Sequence, residues 1–105
     1  MYLPKTYEDF SDKFSEIMKD YQQLGKVCRG AGPLEFKYQD LVKLGIAVGA
    51  NSRGAVMSSV RKALASGATS EEIRHVVLLS LTTTGFPNMI AALNWADEVL
   101  EHKGT

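Results

Sequence analysis

Apolar residues in the first quarter of the chain recur at alternating steps of four and three: Phe10, Phe14, Ile17, Tyr21 and Leu24. That spacing keeps them on one helical face. Thr6 with Asp9 resembles the reciprocal cap of a helix start, so the pattern predicts a first helix from about Tyr7 to about Gly25. The stretch "CRGAGPLEF" then interrupts it with two glycines and a proline, which mark an ordered connector. In "FKYQDLVKLGIAVGA", Phe36 to Ala50, a second helix sets Tyr38, Leu41, Val42, Gly45, Ile46 and Val48 on a broad apolar face, with Lys43 outside.

A third helix begins after Ser52, the expected N-cap, and ends at Gly67, where a left-handed residue suits the C-terminus. Thr69 and Glu72 repeat the capping pattern ahead of "IRHVVLLSLTTTG", which is apolar nearly all round and predicts a buried fourth helix. Pro87 is pre-shaped for a first helical turn. From there Met89 or Ile90, Leu93, Ala96 or Asp97 and Leu100 trace a last helix up to Gly104. No window alternates with the period of a strand, so the chain reads as all-α, a single domain over residues 1–105.

Composition narrows the function classes. Apolar residues make up 45% of 105 positions, enough for one core but few enough that self-association is a natural way to cover more surface. Twelve basic and twelve acidic residues cancel and are scattered, which argues against a nucleic-acid or anionic-lipid partner. The longest apolar run, "VVLLSL", is far short of the roughly 20 residues a bilayer span needs, and no membrane partner is expected. The start "MYLPKTYEDF" lacks the basic and apolar regions of a signal peptide. The lone Cys28 excludes an intrachain disulfide and a multi-cysteine zinc site. Together these favour a cytoplasmic protein with no metal or cofactor.

Three stretches in order resemble the carboxymuconolactone decarboxylase family, which includes the AhpD-like alkylhydroperoxidases. They are "PLEFKYQDLVKLGIAVGA", "SVRKALASGATSEEIRHVVLL" and "GFPNMIAAL", within residues 33–100. The resemblance implies a small helical bundle of five to six helices, assembled with itself as a homotrimer or homohexamer. In the family's peroxidase branch a Glu lies twelve residues before the first thiol of a Cys-x-x-Cys-x-x-x-His motif, and those positions here are Asp40, Ser52, Ala55 and Ser59. Thiol–disulfide chemistry needs two sulfurs, so the family's peroxidase mechanism has no carrier in this segment. The decarboxylase branch carries histidines where this chain has Ser59 and Leu79, so that acid–base set is missing too.

What remains is a site of hydroxyls and one carboxylate. Asp40 is the candidate acid or base, or else a carboxylate favoured by the helix dipole. Ser52 and Ser59 share a helical face with Ala55 and Val56. They are candidate catalytic hydroxyls without a local base, with helix capping and tight packing as their other roles. Arg53 and Arg61 could hold the carboxylate of a ligand in paired hydrogen bonds, with Met57 and Thr83 beside them; surface ion pairs are the arginines' other role. Cys28 beside Arg29 is a candidate lone sulfenate-forming thiol, although no resolving cysteine exists. His75 and His102 read as surface residues, Trp95 and Tyr38 as core or contact aromatics. The leading expectation is a family member binding a small anionic organic molecule, with non-redox proton transfer at Asp40. The alternatives are a non-catalytic assembly subunit and a Cys28-dependent peroxidase.

Overall fold

The computed structural model describes residues 5–102. Among these are six α-helices, one 3₁₀ turn and no strand. They fall into two compact units, the first ending at Pro33 and the second beginning at Leu34.

The first unit is a helix pair, α1 (Lys5–Lys13) and α2 (Ser15–Arg29). The single helix expected here is broken at Phe14, whose φ of −125° and ψ of 53° leave the helical region. The break is local, since the Phe14 amide still donates to Phe10 and the Met18 amide to Phe14. The Phe10 and Phe14 rings lie 5.2 Å apart across it. The expected cap at Thr6 does not form: Thr6 lies inside α1, and Asp9 accepts from the Lys5 ammonium at 2.9 Å. Helix α2 also runs four residues past Gly25, to Arg29.

The second unit contains α3 (Phe36–Gly49), α4 (Arg53–Ala65), α5 (Ser70–Leu79) extended by a 3₁₀ turn (Ser80–Thr82), and α6 (Phe86–Glu101). Helices α3 and α4 form a hairpin. Its turn carries Asn51 at φ 54°, a left-handed conformation that asparagine enters at little cost. Helix α4 ends at Ala65, with Ser66 as its C-cap and Gly67 beyond it at φ 97°. There Ala68 donates to Ala63 and Gly67 to Leu64, the paired bonds of a Schellman motif. Thr69 then caps α5, accepting from the Glu72 amide at 3.0 Å while its own amide donates to the Glu72 carboxylate at 2.9 Å. Gly85 at φ 99° leads into α6, with Pro87 in its first turn. The expected end at Gly104 lies outside the described residues.

The core of this unit is built from Leu44, Val48, Val56, Val60, Ile73 and Val77, all with no exposed surface. Ala63, Ala92 and Ala96 join them, their small side chains letting helices approach closely. Removing a core side chain of this kind, as in Leu44→Ala, costs about 2–5 kcal/mol.

Helix α3 turns a different face inward from the one its pattern predicts. Asp40, Leu44, Ala47 and Val48 are buried, whereas Tyr38, Val42 and Ile46 are 51%, 51% and 67% exposed. Helix α5 is likewise buried on one side only: Ile73 and Val77 are enclosed, while Leu78 and Leu79 are more than half exposed.

Candidate functional site

Hydrogen bonds decide what the candidate side chains do. Asp40 is the one charged residue buried among those described, and its carboxylate accepts a hydrogen bond from the Ser66 hydroxyl. Ser66 is the C-cap of α4. Ser52 is the N-cap of the same helix, its Oγ accepting from the Ala55 amide at 3.3 Å. Fourteen residues of helical rise, roughly 1.5 Å each, put those two ends about 20 Å apart. The hairpin therefore brings Asp40 to Ser66 and holds it away from Ser52.

Ser59, Met57 and Arg61 are half-buried along α4 between these ends. Arg53 is engaged by Glu98 at 2.9 Å, and Arg74 by Asp97 at 2.9 Å. These bridges tie α4 and α5 to neighbouring positions of α6. His75 is exposed on α5. Trp95 packs against the core. Cys28 is exposed in the last turn of α2. Among the described residues no group of three His, Cys, Asp or Glu side chains could hold a metal ion, and no helix is long and apolar enough to cross a membrane.

A second feature lies along the outside of α3 and α5. These helices run side by side in the same direction: Lys37 near the start of α3 pairs with Glu72 near the start of α5 at 2.9 Å. Their C-terminal halves border a shared groove of about 370 Å³. Its walls are Leu41 and Val42 on one side and Val76 and Leu79 on the other. Gly45 and Gly49 form a low floor, and Ser80, Thr83 and Thr84 close the far end.

A Cβ at Gly45 would meet only a Val76 methyl, at 3.8 Å, and at Gly49 nothing within 4 Å. The hollow thus comes from absent side chains, not from a tight helix crossing.

The hydroxyls at the far end all donate inward to backbone. Ser80 Oγ donates to the Val77 carbonyl at 2.7 Å, Thr83 Oγ1 to Leu79 at 3.2 Å and Thr84 Oγ1 to Ser80 at 3.3 Å. Asn88 braces this end, donating to the Val48 carbonyl at 2.9 Å and to Thr84 Oγ1 at 2.8 Å. Of the candidate site residues only Thr83 lines the groove, and its lining contains no lysine, arginine or histidine.

At the opposite end the charges are coupled but open to solvent. Hydrogen bonding from the Thr69 amide, with the Lys37 ammonium next, holds the Glu72 carboxyl below its usual range. The hydrogen bond to Glu72 holds Lys37 above its own.

The groove and Ser66 are the features that sequence reading missed. A pair of glycines four apart on an otherwise apolar helix marks the first. The second follows from hairpin register once the turn is placed at Asn51.

These features define an all-helical protein that keeps a buried carboxylate and a helix N-terminus in hairpin order, with no thiol or histidine on the α3–α4 hairpin. A model of the carboxymuconolactone decarboxylase family matches residues 15–98, and the chain belongs to that family. No curated protein and no solved structure matches it.

Proposed function

We propose that this chain is a thiol-independent member of the carboxymuconolactone decarboxylase family that binds a small organic molecule in the groove between α3 and α5. The observation that carries this reading is the groove itself. Its volume of about 370 Å³ falls in the roughly 300–1,000 Å³ range of small-molecule sites, which are typically apolar with a few polar groups at one place.

The role is binding without an acid–base step. Asp40 is committed to Ser66 and Ser52 to a helix cap, and neither residue lines the groove. The expected preference for an anion loses its basis at this location, because Arg53 is paired with Glu98 and Arg61 is not part of the lining.

The test is titration with Nile red, a neutral apolar dye. Gly45→Leu places a side chain in the hollow, so wild-type protein brightens the dye and the variant does not. Equal fluorescence from both proteins would overturn the reading.

A second reading, the assembly subunit, is favoured by the exposed apolar side chains of the second unit, two of which, Val42 and Leu79, line the groove. Val42, Ile46, Leu79, Phe86 and Ile90 are between 46% and 67% exposed, the kind of surface that a second copy covers. On this reading Ile46→Glu lowers the sedimenting mass, and assembled wild-type protein leaves Nile red dark.

A further inference from the structure

The first unit covers little of its own apolar surface. Helix α1 buries no residue and α2 only Met18, whose sulfur accepts from the Tyr7 hydroxyl of α1 at 3.8 Å. Helices of nine and fifteen residues draw most of their stability from packing, so this pair has stability still to gain from a further contact.

The uncovered side has a defined period. Phe14, Ile17, Tyr21, Leu24 and Cys28 follow one another at steps of three, four, three and four, the 3.5-residue repeat of a seam that another helix covers along its length. Met18 points to α1 from a different side of α2, which leaves the seam open. Phe14, Ile17, Tyr21, Leu24 and Val27 are 49–67% exposed. At about 100 Å² each, two such seams face to face bury about 1,000 Å², the area at which specific interfaces begin.

We propose that α2 pairs with α2 of a second copy of this chain, antiparallel and centred on Lys19. In that register Phe14 meets Leu24 of the other copy and Ile17 meets Tyr21, a ring against a smaller side chain in every layer. A parallel pair sets Phe14 on Phe14 and Tyr21 on Tyr21, and it starts both second units, at Leu34, from the same end. The antiparallel pair carries one cost, because its two-fold axis puts the exposed Asp20 of each copy on the same flank. The groove takes no part, since its lining belongs wholly to the second unit.

The experiment places spin labels on the native Cys28, which is exposed and lies past the overlapping stretch, and measures their separation by double electron–electron resonance in the full chain. At 1.5 Å of rise per residue, the antiparallel register sets the two Cys28 backbones about 27 Å apart along the helix axis, whereas a parallel pair sets them in one layer. Dimer dissociation constants come from sedimentation. Tyr21→Asp is expected to weaken pairing about tenfold or more, with unchanged helicity because Tyr21 faces solvent in the single copy. Asp20→Asn removes the like charges and tightens pairing about twofold.

A chain with no inter-label distance, a distance placing both labels in one layer, or a distance that persists in Tyr21→Asp at undiminished amplitude would each overturn the proposal. So would an Asp20→Asn pair weaker than wild type.

Discussion

At the scale of single residues, the hydroxyls carry the strongest expectations. Ser52→Ala removes the acceptor for the Ala55 amide and should lower stability by about 1 kcal/mol, read as a shift in the urea midpoint with an unchanged slope. Ser66→Ala strips a donor from the buried Asp40 carboxylate. Its cost is larger, about 1–3 kcal/mol, and a variant as stable as wild type would show that Asp40 does not depend on Ser66. The roles of Ser52, Thr69 and Glu72 were legible from local spacing, because a cap is completed within three residues. Ser66 was not, because its partner lies 26 residues away and only the closed hairpin joins them. Cys28 was visible as the single thiol, and its exposure in the last turn of α2 supplies no second sulfur. Hydroperoxide consumption by the purified protein is therefore expected to be absent and unaltered in Cys28→Ser.

At the scale of elements, periodicity found the helices more reliably than their orientation or continuity. The steps of four and three pass through Phe14 without a change of phase, so nothing in the pattern could register the break between α1 and α2. Helix α3 is apolar on more than one side, and the pattern placed Val42 and Ile46 inward. The buried stripe in fact runs Asp40, Leu44, Ala47 and Val48, with a carboxylate where a pattern reader looks for an aliphatic residue. Gly45 lies on the open side of α3, which makes Gly45→Ala a stabilising change. Replacing glycine inside a helix with nothing to displace is worth about 0.5–1 kcal/mol, measurable as a higher thermal midpoint.

The start of α5 gives a pH signature. The Glu72 carboxyl is held below its usual range, so its stabilising effect is complete above the unfolded value and fades as pH falls through the folded one. Lys37 is held above its usual range. Its contribution is complete below the unfolded value and is lost as pH rises through the folded one. Glu72→Gln retains a side-chain acceptor for the cap and removes the charge. Its deficit relative to wild type should thus be largest near neutral pH and shrink in acid and again in strong alkali. A deficit independent of pH would show that the Lys37–Glu72 charge pair contributes nothing.

At the scale of the whole molecule, large apolar side chains at the surface set the behaviour in solution. In the first unit Phe14, at the break, and Ile17, Tyr21, Leu24 and Val27 along α2 are 49–67% exposed. In the second, Ile46 and Phe36 are the most open. Members of this family commonly assemble, and a chain with this surface is expected to sediment above its monomer mass of 11.5 kDa at micromolar concentration. The all-helical class followed from composition and period because the core of the second unit is made by helix faces, Ala68 in the α4–α5 connection apart. The groove could not be read the same way, since it depends on α3 and α5 running in the same direction.

Ser52 also fixes what a thiol at this place in the hairpin would cost. Its hydroxyl caps the start of α4, at the position that the resemblance to the family's peroxidase branch assigns to a first thiol. Exchanging it for cysteine gives up a good acceptor for a weak one, and a lone thiol there can close no disulfide until Ala55 changes as well. A chain engineered toward thiol chemistry at this hairpin therefore carries a weaker cap before it gains a second sulfur.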